Sequence, residues 1–183
     1  YFCVHPKHHV WKIMLGEGLL YSFYISMNFK KFINILIGDL CFIAEKGFEQ
    51  LHQINERGAN DKDLSVRDHF YRFIHDYIQF ANNNPELYEL MFGRTIWKLN
   101  SATNELRSVA YPSFNYQVEM TKKWQAQGLM PSGEDTLRLS QVTWGTMHGI
   151  ARLLIDGIYA DRSHIDEMCD CAVNLFTQQI TTN

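Results

Sequence analysis

Leu64-Ser65-Val66-Arg67-Asp68-His69-Phe70-Tyr71-Arg72-Phe73-Ile74-His75-Asp76-Tyr77-Ile78-Gln79-Phe80-Ala81 is the stretch that decides the fold class. Leu64, Val66, Phe70, Phe73, Ile74, Tyr77, Ile78 and Ala81 recur at three- and four-residue spacing, which gathers them on one face of an α-helix. Ser65, with Asp68 three residues on, is a start signal close to a capping box. Asn82-Asn83-Asn84-Pro85 is the stop, because proline disfavours helical backbone in the residue before it.

Reading outward, Pro85 can open a short helix, Glu86 to Phe92, closed by Gly93. A longer helix is predicted from about Asn104 to Gln127, ending at Gly128, with Leu106, Val109, Ala110, Phe114, Val118 and Trp124 as its apolar positions. Pro112 lies inside that span and would kink the helix or delay its start. Pro131 to Glu134 makes a turn and cap. The next helix, about 134–159, carries two apolar stripes. One is Leu137, Trp144, Met147, His148, Ala151, Ile155 and Ile158; the other is Leu139, Val142, Thr146, Gly149, Ile150, Leu153 and Gly157. A helix apolar on two faces is central or sits at an interface. A last helix should run from a cap at Ser163 to Ile180. No alternating pattern competes, so the fold class is all-α.

The chain has 183 residues, 46% of them hydrophobic, with a net charge of −3 and a pI near 6.2. That excludes intrinsic disorder and a histone-like polycation, but not DNA binding, which needs only a local basic face. Cys3, Cys41, Cys169 and Cys171 are too few and too unevenly spaced for a disulfide scaffold, so a reduced, cytoplasmic protein is expected. The longest greasy run, Phe32 to Ile43, is interrupted by Asn34, Gly38 and Asp39 and falls well short of the roughly 20 residues that cross a bilayer. A buried helix is expected there, and no membrane.

Composition changes near residue 44. Residues 1–43 contain no Ala, Arg, Thr or Gln, hold nine aromatics and only two acids, Glu17 and Asp39. Two explanations fit: an aromatic-rich N-terminal subdomain, or a stretch whose residues differ from those of the gene. Peptide mass spectrometry separates them.

Chemistry has few anchors. Glu49-Gln-Leu-His52 is an E-x-x-H at helical spacing, the pair that binds iron in ferritin-like bundles, but such a site needs a second copy and further carboxylates. A solvated helix face accounts for it better. Cys169 and Cys171 lie about 200° apart on a helix and cannot easily share a metal. His5, His8 and His9 cluster without partners. There is no Gly-rich phosphate loop, no G-x-S-x-G and no nucleophile–base pairing, so neither enzyme chemistry, metal nor cofactor is expected. What remains is an aromatic and sulfur-rich set: Phe73, Tyr77, Tyr88, Met91, Phe92, Trp97, Tyr116, Met120, Trp144, Met147 and His148. Ordinary core packing accounts for any one of them. As a set, polar-tipped rings beside adaptable Met suit an apolar small-molecule cavity.

Three motifs carry a resemblance. Asn83-Asn84-Pro85-Glu86-Leu87-Tyr88-Glu89-Leu90-Met91-Phe92 resembles a segment of the tetracycline-repressor-like (TetR) transcriptional regulators. Thr143-Trp144-Gly145-Thr146-Met147-His148-Gly149-Ile150-Ala151-Arg152-Leu153-Leu154-Ile155-Asp156-Gly157 resembles that family's Trp–His–Gly signature. Ala44-Glu45-Lys46-Gly47-Phe48-Glu49-Gln50-Leu51 is similar to the end of its fourth helix. The likeness covers roughly residues 44–180. It implies a three-helix helix-turn-helix head (1–43) and a six-helix effector-binding and dimerisation body (44–183).

The resemblance further implies a homodimeric, ligand-responsive repressor of double-stranded operator DNA, released by a small hydrophobic effector. Within it, Phe73, Tyr77, Tyr88, Phe92, Trp97, Tyr116, Met120, Trp144, Met147 and His148 are the candidate effector contacts. Residues 1–43 depart from the family's turn motif, so no DNA contact carries over, and a recognition helix would fall near Ile25–Phe32. A second reading is a helical small-molecule-binding protein without DNA-binding activity. A gel shift with upstream DNA separates the two; a helix-turn-helix is expected in residues 1–32, and a strand or one unbroken helix there would sink the repressor reading.

Overall fold

The structure is a computed structural model, and it describes residues 7–59, 63–97, 102–159 and 161–177. Among these residues there are helices and turns but no strand. The helices are α1 (Lys7–Ala59), α2 (Val66–Asn83), α3 (Pro85–Phe92), α4 (Arg94–Trp97), α5 (Asn104–Ala126), α6 (Thr136–Ile155) and α7 (Ile165–Thr177), with a 3₁₀ turn at Arg162–His164. The chain divides into two units, 1–40 and 41–183.

In the first unit, residues 7–40 are helical throughout. The helix-turn-helix expected in residues 1–32 is therefore absent from the described part, and with it the three-helix head; residues 1–6 lie outside it. The physical reason is in the sequence: no Gly-Val-Ser turn or proline interrupts residues 7–40. The expectation of a buried helix from Phe32 to Ile43 is half right. The helix forms, but Phe32 (61% exposed), Ile35, Leu36, Phe42 and Ile43 face outward, and only Cys41 is buried.

The second unit is organised around α2. Ser65 caps it, its Oγ accepting from the Asp68 amide (3.1 Å) and donating to the Asp68 carboxylate (2.6 Å). The Asp68 carboxylate thus holds the cap hydroxyl rather than the Ser65 amide, so this is a side-chain cap and not the full reciprocal box. Phe70, Phe73, Ile74, Tyr77, Ile78 and Ala81 are buried along its inner face. That face packs against α6 and α7, while α5 lies against α6. Trp124 of α5 closes the floor, its ring 4.7 Å from Phe70 and 5.3 Å from Phe73. Cys41, Ala44, Phe48 and Leu51 of α1 bury a stripe at helical spacing. At Gly47 even a Cβ would overlap the Met91 side chain, so glycine is what lets α1 approach α3.

The expected span of α5 holds to within one residue, while the ends of α6 and the start of the last helix differ. Thr103 caps α5, accepting from the Leu106 amide (3.1 Å), and the helix runs through Pro112 rather than starting after it. α6 ends at Ile155, four residues early. Gly157 turns left-handed (φ +71°), and Ile158 N–H bonds back to the Leu153 carbonyl (3.0 Å), a Schellman stop. The buried line of α6 is Ser140, Thr143, Met147, Ala151 and Leu154, which shares Met147 and Ala151 with the first expected stripe and nothing with the second. Ser140 and Thr143 can be buried because their hydroxyls donate to the Thr136 and Leu139 carbonyls one turn back (2.6 and 2.8 Å). Asp161, not Ser163, caps the final turn, its carboxylate accepting from the Ser163 amide (2.9 Å) and hydroxyl (2.6 Å). The expected end at Ile180 lies outside the described residues.

Candidate effector cavity

Phe92, at the end of α3, and Trp144, in the middle of α6, are common to three adjoining hollows. The largest, about 520 Å³, is walled by Phe48, Phe92, Trp97, Ala110, Tyr111, Phe114, Asn115 and Trp144. A second of about 380 Å³ lies beside Phe114, Gln141, Gly145 and His148. The third is a chamber of about 20 Å³ bounded by Leu51, His52, Asn55, Phe73, Tyr77, Ser113, Tyr116 and Gln117.

The rings are held in place rather than loosely packed. Phe114 stacks on Trp144 at 5.0 Å, and Phe92 meets Trp144 edge-on at 6.0 Å. The Trp97 indole N–H donates to the Met91 carbonyl (2.6 Å), which anchors the far wall. Behind Trp144 runs a line of hydrogen bonds. Its indole N–H donates to Tyr77 Oη (3.0 Å), Tyr77 Oη pairs with Tyr88 Oη (2.8 Å), and Tyr88 Oη lies 2.6 Å from His148 Nδ1.

Electrostatics sets the direction of that line. Burial raises the pKa of Tyr77 and of Tyr88 far above the ordinary tyrosine value, so both keep their protons. Burial, with Arg152 nearby, lowers His148 below its ordinary value, so the ring is neutral at pH 7. Tyr88 then donates to His148 Nδ1, Tyr77 donates to Tyr88, and the imidazole proton sits on Nε2. Arg152 is itself held by Glu89 and by Asp156 (3.1 Å).

The ten candidate contacts separate. Phe92, Trp97 and Trp144 line the largest hollow; Phe73, Tyr77 and Tyr116 line the small chamber; His148 lines the hollow beside Gly145. Met120 borders a minor cleft of about 10 Å³ near His69. Tyr88 and Met147 are fully buried and line none of these. Sequence reasoning missed Phe48, Tyr111, Phe114 and Asn115, and the polar pair Asn55 and Gln117. The α1 spacing Phe48, Leu51, Asn55 and the α5 spacing Ala110, Phe114, Gln117 carry the signal, but only an adjacent α3 makes it meaningful.

Glu49 pairs with Lys46 (2.7 Å) and His52 with Glu56 (3.3 Å), and no metal-binding cluster occurs among the described residues. Cys169 is buried and its thiol pushed up to about 12, chiefly by burial, while Cys171 is exposed. His5 and the side chains of His8 and His9 lie outside the described residues. No helix among them is long and apolar enough to cross a membrane.

Fold and geometry together define an all-helical body built around an aromatic-walled cavity. The profile of the tetracyclin repressor-like C-terminal domain matches residues 70–176. The chain therefore belongs to the tetracycline-repressor-like regulators through this domain. A solved structure of a protein with unknown function from Rhodococcus sp. RHA1 is similar: 27% identity and a TM-score of 0.64, over 76% of this chain and 72% of that one. No curated protein matches.

Proposed function

We propose that residues 41–177 form the effector-sensing body of a TetR-like regulator, acting as a homodimer. One observation carries this reading: the cavity of about 520 Å³, walled chiefly by aromatic rings, falls within the range of small-molecule sites. Its few polar groups, Asn115 and the Tyr111 hydroxyl, suit a flat hydrophobic effector rather than a sugar or phosphate. Phe48, Phe92, Trp97, Phe114 and Trp144 make the contacts, and Tyr77, Tyr88 and His148 support Trp144 from behind. Met120 and Met147 act as core.

Dimerisation would use the outer face of α6 with α7. Val142 (60% exposed) and Leu175 (65% exposed) stand out from it, and Gly145 and Gly149 have open space where a Cβ would be. Two such faces would pair as a four-helix bundle. An effector pressing on Trp144 would bias α6, and through it the partner, by as much as it prefers one arrangement over the other.

The helical course of residues 7–40 supports the second of the two readings for the N-terminal segment: it does not read DNA. A helix-turn-helix needs a turn that presents its second helix to the major groove, and residues 7–40 have no such turn. A gel shift with upstream DNA at low salt should show no sequence-specific complex, and a specific complex would restore the repressor reading. Trp fluorescence and thermal shift against hydrophobic ligands should show saturable binding that Trp144→Ala weakens. A flat response across the panel would end the effector reading.

A further inference from the structure

The small chamber behind Phe92 and Trp144 carries two buried polar atoms that have no hydrogen-bond partner, Asn55 Oδ1 and Gln117 Nε2. Gln117 is 3% exposed. Such groups are rare in folded proteins, and each calls for a reason. A leucine at position 117 would fill the same space with nothing left unpaired. One atom is an acceptor and the other a donor, so a single group that satisfied both would accept from Gln117 and donate to Asn55.

Size narrows the chemistry. At about 20 Å³ the chamber has room for little more than one water-sized group, which needs roughly 10–15 Å³ on the same measure. A carboxylate only accepts, so it would face the Asn55 oxygen lone pairs; no lysine or arginine lines the chamber, and His52 there is already paired with Glu56 (3.3 Å). An ammonium would face the Gln117 N–H. A carboxamide places donor and acceptor on separate atoms and needs two positions. A hydroxyl carries both on one oxygen and has the size of one water.

Resting on the effector reading above, we propose that the effector is a hydrophobic alcohol or phenol. Its hydroxyl reaches between Phe92 and Trp144 into the chamber, accepts from Gln117 Nε2–H and donates to Asn55 Oδ1. Its apolar body fills the cavity of about 520 Å³. Phe92 suits the role of gate: it is only half-buried, and it ends α3 immediately before Gly93.

Three probes of one shape test this: 4-phenylphenol, 4-methylbiphenyl and biphenyl-4-carboxylate, titrated into the whole chain by Trp fluorescence and calorimetry. The phenol should bind at least about 10-fold more tightly than the methyl analogue, because a site built for a hydroxyl leaves its polar groups unpaired when the hydroxyl is missing. The carboxylate should bind weakest. Gln117→Leu and Asn55→Leu should each collapse the phenol preference to about two-fold or less, by weakening the phenol and sparing the methyl analogue an unpaired polar group. Equal binding of phenol and methyl analogue to the unaltered chain would mean the chamber serves only a structural water; that overturns the hydroxyl proposal and leaves the effector reading standing. A preference that survives both substitutions overturns it too. No binding of any probe overturns both. Should either variant lose its helical circular dichroism, the probe ratio of the unaltered chain decides alone.

Discussion

Tyr88→Phe removes one oxygen from the middle of the buried line Trp144–Tyr77–Tyr88–His148. Tyr88 is fully buried, so water cannot replace the lost hydroxyl. The deletion breaks two bonds, Tyr77 to Tyr88 (2.8 Å) and Tyr88 to His148 Nδ1 (2.6 Å). A typical hydrogen bond contributes about 1 kcal/mol net, and a buried group left unpaired costs about 1–3 kcal/mol. Tyr77 Oη already lies 3.4 Å from His148 Nδ1 and can swing to it, which recovers part of the loss. The expected destabilisation is about 2 kcal/mol. With a urea m-value of about 2 kcal/mol per molar, the midpoint should fall by about 1 M with the slope unchanged. Tyr77→Phe also strands the Trp144 indole N–H and should cost at least as much. The double variant should cost about 1 kcal/mol less than the sum, because the two share a bond. A Tyr88→Phe midpoint within 0.2 M of the parent, on the roughly 1 M scale expected here, would refute the hydrogen-bond line.

His148 should make the chain acid-sensitive. Its folded-state value lies below the ordinary histidine value of 6.5, from burial first and Arg152 second, so its contribution is full above that pH and is lost as pH falls through the folded value. Stability of His148→Asn should be flatter with pH below about 6.5 than that of the parent, and identical slopes would discount the burial argument. Gly149→Ala tests the dimer: the site is open within one chain, so the substitution should raise monomer stability by up to about 1 kcal/mol while weakening self-association in sedimentation. Unchanged association would remove Gly149 from the interface. Gly157→Ala forces a side chain into left-handed backbone (φ +71°) and should cost about 1 kcal/mol, read as a lower Tm; no change would mean the α6 stop is not fixed there.

Local physics made the helices legible. Ser65 with Asp68, Pro85 at the opening of α3 and Gly128 after α5 act through bonds and sterics within four residues, so a linear reading finds them. The same reading erred where a local rule had a rival: Asp161 out-competed Ser163 as a cap, and Gly157 stopped α6 before Tyr159. The head failed for a related reason. A likeness over residues 44–180 says nothing of the forty residues before it, and those residues, taken alone, have no break in their helical run. The cavity belongs to a different level. That Phe92 and Trp144 share a wall, or that Asn55 and Gln117 face one chamber, depends on how α1, α3, α5 and α6 cross. Such crossings are set by the close packing of whole faces, with contacts between residues far apart in the chain. An amide in a helix pattern reads as an outward residue until a neighbouring helix covers it. Periodicity therefore determined that this protein is a set of amphipathic helices, and tertiary packing alone decided which polar atoms they bury and what could satisfy them.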